Sequence, residues 1–292
     1  FIKQLKSGYG MDYLDIVEEL KSGKKSIFKP CLVNTEKGKF VLKQLSDGKE
    51  EQALDKVRFI ISFMLELKEN GLPVPGIERT NKNEEDGIDN YFVVVDQGYF
   101  ILEEYLKGIT IDWNEAANEH FTELGKLAAK MQNIMSVAKL EGKKSWIGRQ
   151  ELTEFKMQKV NDYRSALLEK NKLNNEEEYF LRQYAFYEKQ YNLFLKNYPI
   201  LINKLSPNPI HGDLIFRNML FDKNGKITAI FDFGLVGEDA RVEVFNNLFL
   251  GDFGERAQIY DHNKFNLILE SYNNGLTIKL NEQERAAIVE VG

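Results

Sequence analysis

Residues 211–218 read His211-Gly212-Asp213-Leu214-Ile215-Phe216-Arg217-Asn218, and residues 230–234 read Ile230-Phe231-Asp232-Phe233-Gly234. Between them lie two short apolar runs, Met219 to Phe221 and Ile227 to Phe231, separated by Asp222-Lys223-Asn224-Gly225. Asn-Gly between apolar runs is a hairpin signal, because both residues tolerate the positive φ angles of a tight turn. The fixed elements are an Asp two residues after a His, an Asn five residues after that Asp, and an Asp-Phe-Gly where the second strand ends. At about one chance in 20 for each of four positions, such a pattern arises by accident on the order of 10⁻³ times in a chain of this length.

These residue types suit phosphoryl transfer. Moving the terminal phosphate of ATP needs a metal to neutralise the phosphates and a group to orient the attacking hydroxyl, with little covalent help. Magnesium takes hard oxygen donors and keeps several waters, so two protein ligands and phosphate oxygens are enough. Asn218 and Asp232, at the two ends of one hairpin, supply those ligands, and Asp213 accepts the proton of the hydroxyl. His211 buttresses the loop through its ring nitrogens.

Outward from this segment the chain has two textures. From Asp15 to about Leu106 it is strand-rich, with Phe40-Val41-Leu42 ahead of Lys43 and a hairpin of Tyr91 to Val95 and Tyr99 to Glu104 joined by Asp96-Gln97-Gly98. Between them Leu54, Val57, Ile61, Met64 and Leu65 recur at helical steps until Asn70-Gly71, Pro73 and Pro75. From Trp113 to about Tyr198 the chain reads as helical, with Glu176, Glu177 and Glu178 on a solvated face. Ser206-Pro207-Asn208-Pro209 breaks the helices, and Phe245 to Val291 reads as helical again.

The His-Gly-Asp and Asp-Phe-Gly segments resemble the motifs of the aminoglycoside phosphotransferase and choline kinase family, whose fold is similar to that of protein kinases. The likeness extends to the Lys-bearing strand, the helix ending in Gly71-Leu72-Pro73-Val74-Pro75, and the run Phe100 to Gly108, together most of Asp15 to Gly251. Within the family, Gly71 to Gly108 is most similar to homoserine kinases and spore-coat kinase-like proteins. The resemblance implies a two-lobed α+β fold, with a nucleotide-binding lobe over residues 1–106 and a catalytic and substrate-binding lobe over 107–292. It implies Asp213 as catalytic base, Asn218 and Asp232 as magnesium ligands, and Lys43 on the α- and β-phosphates of ATP. Backbone groups of the hinge, from Glu103 through Tyr105 to Leu106, would meet adenine. The acceptor would be a hydroxyl on a small metabolite; the alternative is a kinase-like protein that binds nucleotide without catalysis.

Two features depart from the family. The helix slot for the acid that pairs with the strand lysine falls near Lys56, with Glu50, Glu51 and Asp55 as the neighbouring acids. The phosphate-covering turn, Ser22-Gly23-Lys24-Lys25-Ser26, is poor in glycine, although its amides, Ser26 and the lysines could meet phosphate. Beyond the Asp-Phe-Gly, the acids Glu238, Asp239 and Glu243 suit an ammonium-bearing acceptor, whereas Arg217 and Arg241 suit a carboxylate such as that of homoserine. His120 and His262 lack a second ligand at metal spacing, and Trp113 and Trp146 read as packing anchors.

Composition sets outer limits. With 39 Lys and Arg against 45 Asp and Glu, the net charge of −6 argues against nucleic acid as partner, and no apolar run approaches the roughly 20 residues of a membrane span. The single cysteine, Cys31, excludes an internal disulfide and suits a reducing compartment, the cytoplasm. The chain opens on Phe1 rather than Met, so the lack of a leader sequence carries little weight.

Overall fold

Alternation of apolar residues builds the first part of the chain into a five-stranded antiparallel sheet, β1-β2-β3-β5-β4 in spatial order. The strands are β1 (Leu14–Glu19), β2 (Cys31–Thr35), β3 (Gly38–Ser46), β4 (Val93–Val95) and β5 (Gly98–Glu104). The computed structural model describes residues 1–20, 29–49, 51–82, 84–96, 98–142, 149–202, 205–245 and 261–291. In β3 and β5 Leu42 lies opposite Leu102 and Lys43 opposite Ile101, so the two faces of the sheet carry different residues. One face, with Leu14, Val33, Leu42, Val95, Phe100 and Leu102, packs on helix α1 (Ile2–Tyr9) through Leu5 and Tyr9. The Tyr9 hydroxyl donates to the Phe100 carbonyl at 3.1 Å. The other face turns Ile101 toward Val57 and Ile61 of helix α2 (Ala53–Glu69).

Helix α2 follows the periodicity of its apolar residues, burying Val57, Ile60, Ile61, Met64 and Leu67. Its end at Asn70 is enforced by Gly71, at φ 71°, a left-handed conformation open to glycine at little steric penalty. The following segment runs back along β5, with Glu104 N–H donating to Gly76 O at 2.8 Å and Glu78 N–H to Leu102 O at 2.9 Å. Ile230 N–H donates to Pro73 O at 2.7 Å, which ties this segment to the second hairpin.

The rest of the chain is mainly helical: α3 (Asn118–Met135), α4 (Arg149–Leu168), α5 (Asn175–Ile202), α6 (His262–Gly275) and α7 (Glu282–Val291). Helix α6 packs on α3 at Gly125, where an added Cβ would sit 2.5 Å from the Ile268 carbonyl oxygen. The helices end before Ser206 to Pro209 as expected, and Pro207 to Ile210 itself forms a strand. β6 (Pro207–Ile210) pairs with β9 (Gly237–Ala240) as a two-stranded sheet. With a partner on one side only, β6 tolerates the two missing proline N–H groups. The expected hairpin forms from β7 (Met219–Phe221) and β8 (Ile227–Ile230), with Asp222 Oδ1 accepting from the amides of Asn224 at 2.8 Å and Lys226 at 3.0 Å.

The largest apolar cluster among the described residues joins Phe59, Ile60, Phe63 and Leu67 of α2 to Leu124 and Ala128 of α3 and to Ile268 and Tyr272 of α6. Its centre is Leu214, Phe216, Met219, Ile230 and Phe233, from the segment that opened the sequence reading. Each such large side chain contributes roughly 1.5–3 kcal/mol on burial, which anchors the segment from His211 to Asn218 to this core.

Candidate active site

His211 is 2% exposed, and its ring packs on Phe233 at a centroid distance of 4.8 Å. Its Nδ1 accepts the Asp213 N–H at 3.3 Å, which places the ring proton of the neutral imidazole on Nε2. The histidine thus props the loop from below. Gly212 takes φ 77°, turning the chain so that half-buried Asp213 stands above the core.

Asn218 Nδ2 donates to Asp213 twice, to the backbone oxygen at 2.9 Å and to Oδ2 at 2.7 Å. The second bond is charge-assisted and fixes the carboxylate plane. With its amide nitrogen committed to Asp213, Asn218 directs its oxygen elsewhere. The Asn218 carbonyl accepts from Phe231 N–H at 3.0 Å, extending the β7–β8 ladder by one step and bringing the residue before Asp232 against Asn218. Asp232 itself is exposed and adopts φ 66°, ψ 62°. A non-glycine residue held there costs on the order of 1–3 kcal/mol and persists only where its surroundings impose it. Phe233 imposes it: it is 2% exposed and wedged between His211 and Phe63, whose ring lies 6.2 Å away.

The two oxygen-bearing residues suit Mg²⁺, which prefers hard oxygen ligands. Among the described residues no group of three or more His, Cys, Asp and Glu is arranged to hold a metal ion. An ion between Asn218 and Asp232 would therefore draw its other ligands from phosphate and water.

On the sheet, Lys43 Nζ lies 2.7 Å from Glu103 Oε2, with side-chain exposures of 17% and 4%. Glu103 pairs directly with Val41, so it is the diagonal cross-strand neighbour of Lys43 on the same face, within reach of two long side chains. The sequence left the lysine's acidic partner open, with the helix slot near Lys56; among the described residues its ion pair is with Glu103 on β5. Asp55 and Glu51 are exposed, and Glu50 lies outside the described residues. In the hinge, the Glu104 amide is bonded to Gly76 O and the Tyr105 amide to Lys39 O at 3.2 Å. Leu106, half-buried, is the next residue, and Tyr105 is 38% exposed. The turn of Ser22 to Ser26, including the candidate phosphate contact Ser26, lies outside the described residues, as does Trp146.

The Arg241 guanidinium is bonded within the protein. Its Nε and Nη2 donate to Glu284 at 2.6 and 2.8 Å, and Nη1 and Nη2 donate to the carbonyls of Ile278 and Lys279 at 2.9 and 3.2 Å. Arg217 is exposed, Glu243 is 3% exposed, and Asp239 Oδ1 accepts from Ala240 N–H at 2.7 Å. His120 Nδ1 accepts the Ala117 N–H at 2.9 Å at the start of α3, a capping role, while His262 opens α6. Trp113 packs edge-on against Phe121 and Phe216 at 4.8 and 5.4 Å, anchoring the loop as expected.

No curated protein sequence matches the chain significantly. Among solved structures, an aminoglycoside phosphotransferase from Alicyclobacillus acidocaldarius is 14% identical with a TM-score of 0.63, covering 94% of this chain and 78% of that one. Amicoumacin kinase hAmiN, in complex with AMP-PNP, Ca²⁺ and Ami, is 14% identical with a TM-score of 0.62 (99% and 80%). Spectinomycin phosphotransferase APH(9)-Ia, with ADP and spectinomycin, is 13% identical with a TM-score of 0.62 (99% and 82%). At these identities the likeness speaks for the fold, a kinase-like α+β architecture. The sequence profile of the phosphotransferase enzyme family, APH, matches residues 24–244, a span that holds Lys43, Glu103, Asp213, Asn218 and Asp232. Matched over well more than half its length, the chain belongs to the phosphotransferase enzyme family and is a small-molecule kinase.

Proposed function

We propose that the protein transfers the γ-phosphoryl group of ATP, in the presence of Mg²⁺, to a hydroxyl of a small metabolite. The observation that carries this reading is the double hydrogen bond from Asn218 to Asp213, which fixes the carboxylate and leaves the Asn218 amide oxygen outside that pair. Asp213 orients the acceptor hydroxyl and takes its proton as the oxygen–phosphorus bond forms and ADP departs. Asn218 and Asp232 would hold Mg²⁺, which when bound would neutralise phosphate charge. Lys43 fixes the α- and β-phosphates, residues 103–106 border the adenine, and Ser26 is proposed to contact phosphate. Nucleotide binding belongs to residues 1–106 and acceptor binding to 107–292. Similar structures that hold AMP-PNP with Ca²⁺, or ADP, support a nucleotide and a divalent cation.

With Arg241 bonded to Glu284 and Glu243 buried, while Arg217 and Glu238 are exposed, charge alone does not rank the acceptors. Amino alcohols, choline, aminoglycosides, homoserine and simple sugars are all proposed acceptors to screen. A reducing, cytoplasmic setting is proposed on the strength of buried Cys31 being the only cysteine.

The test is a thermal-shift screen of Mg-ATP with these acceptors, followed by turnover of the best pair by wild type and Asp213→Asn. Loss of a positioned base is expected to lower kcat by about 10²- to 10⁴-fold while Mg-ATP affinity stays near wild type. Equal turnover by the two proteins refutes the role of Asp213.

A further inference from the structure

We propose that Glu103 on β5 is the positioning residue of the phosphate-binding lysine, in the place that kinase-like folds give to a helix acid. The inference rests on the assignment of Lys43 to the nucleotide phosphates made above. In protein kinases the strand lysine is oriented by a glutamate on the following helix, so that movement of the helix makes or breaks the pair. Here the corresponding helix, α2, turns Val57 and Ile61 to the sheet beside Lys43, and the described lysine contact is Glu103 Oε2 at 2.7 Å.

Glu103 is 3% exposed. A carboxylate so buried is costly without a cation beside it, and Lys43 is that cation. Its backbone is held on either side, opposite Val41 in β3 and bridged to Ile77. The acid therefore cannot swing away as a helix residue can. The long, flexible lysine is held by a neighbour of its own sheet, and its position is independent of where α2 lies. From this follows a lysine set in place before nucleotide arrives, in a site without the helix-driven switch of its structural class.

Two measurements test the proposal. The first reads the pair without nucleotide: acetylation of Lys43, followed by mass spectrometry, is expected to be slow in wild type and about tenfold or more faster in Glu103→Gln. The second is a double-mutant cycle on Mg-ATP affinity by calorimetry. Glu103→Gln, which keeps shape and removes charge, is expected to weaken binding about 10- to 100-fold, the range for outer partners that orient a binding group. Glu103→Asp, which keeps the charge, is expected to recover part of the loss. In a Lys43→Ala background Glu103→Gln is expected to cost nothing further, whereas a merely structural glutamate would cost the same in both backgrounds. Equal losses in both backgrounds, or wild-type affinity in Glu103→Gln, overturn the positioning role. Wild-type protein that binds no Mg-ATP although Lys43 is shielded overturns the nucleotide assignment of Lys43 and the positioning role with it.

Discussion

Replacing Glu284 by glutamine separates a structural Arg241 from one that meets substrate. The guanidinium and carboxylate share two short hydrogen bonds, at 2.6 and 2.8 Å, with side-chain exposures of 13% and 12%. Glu284 also accepts the Asn281 N–H at 2.9 Å while Asn281 Oδ1 accepts the Glu284 N–H at 2.9 Å, a reciprocal cap at the start of α7. Glutamine keeps one acceptor and removes the charge. Since a hydrogen bond to a charged partner is worth about 1.5–3 kcal/mol, Glu284→Gln is expected to lose about 2 kcal/mol. Alanine also removes the cap and strands Arg241, and is expected to lose about 4 kcal/mol. Burial opposes ionisation of Glu284, but the bonds from Arg241 and Asn281 and the guanidinium charge outweigh it and hold the carboxyl below its usual value of 4.5. A carboxyl lowered by folding stabilises the native state fully above its unfolded value and loses that contribution as pH falls through the folded one. Urea unfolding at pH 7 is therefore expected to show the full gap between wild type and Glu284→Gln, and the gap should narrow once the pH drops below about 4.5. A gap under about 0.5 kcal/mol at pH 7, as for an exposed pair, or one that widens in acid, refutes the argument. So does a raised KM for the acceptor with stability unchanged, since that would return Arg241 to the substrate.

Asp232→Gly is expected to abolish the Mg²⁺ dependence of nucleotide binding in calorimetry while raising stability by about 1 kcal/mol, because glycine adopts φ 66° with little strain; lower stability with intact metal dependence contradicts both roles. Gly125→Ala places a methyl 2.5 Å from the Ile268 carbonyl and 2.7 Å from Ser271 Cβ, and is expected to cost about 1–3 kcal/mol, seen as a lower melting temperature; an unchanged melting curve would mean that α3 and α6 part at no cost.

Local signals account for what was legible in the chain. The Asn-Gly turn and its flanking apolar runs produced β7 and β8, and the three- and four-residue recurrence from Leu54 produced α2. Three elements escaped. Helix α1 is only eight residues, too short for a periodicity signal. Strand β6 hid behind Pro207 and Pro209, and its partner β9 carries Glu238 and Asp239, which no strand propensity favours. Glu103 was read as hinge backbone, since the strands that bring it to Lys43 lie 60 positions apart in the chain.

The sequence by itself marked the candidate centre: a carboxylate, an amide and a second carboxylate at spacings set around one hairpin. Such spacings are local, so backbone geometry alone carries them into space. Tertiary structure decided which charges are committed. Arg241, read as a candidate for substrate, was claimed by Glu284 from a helix 43 residues away, and Lys43 was claimed by Glu103 across two strands. Ion pairs of this kind depend on register and on burial, which exist only once distant segments share a core, and no count of charges along the chain reveals them.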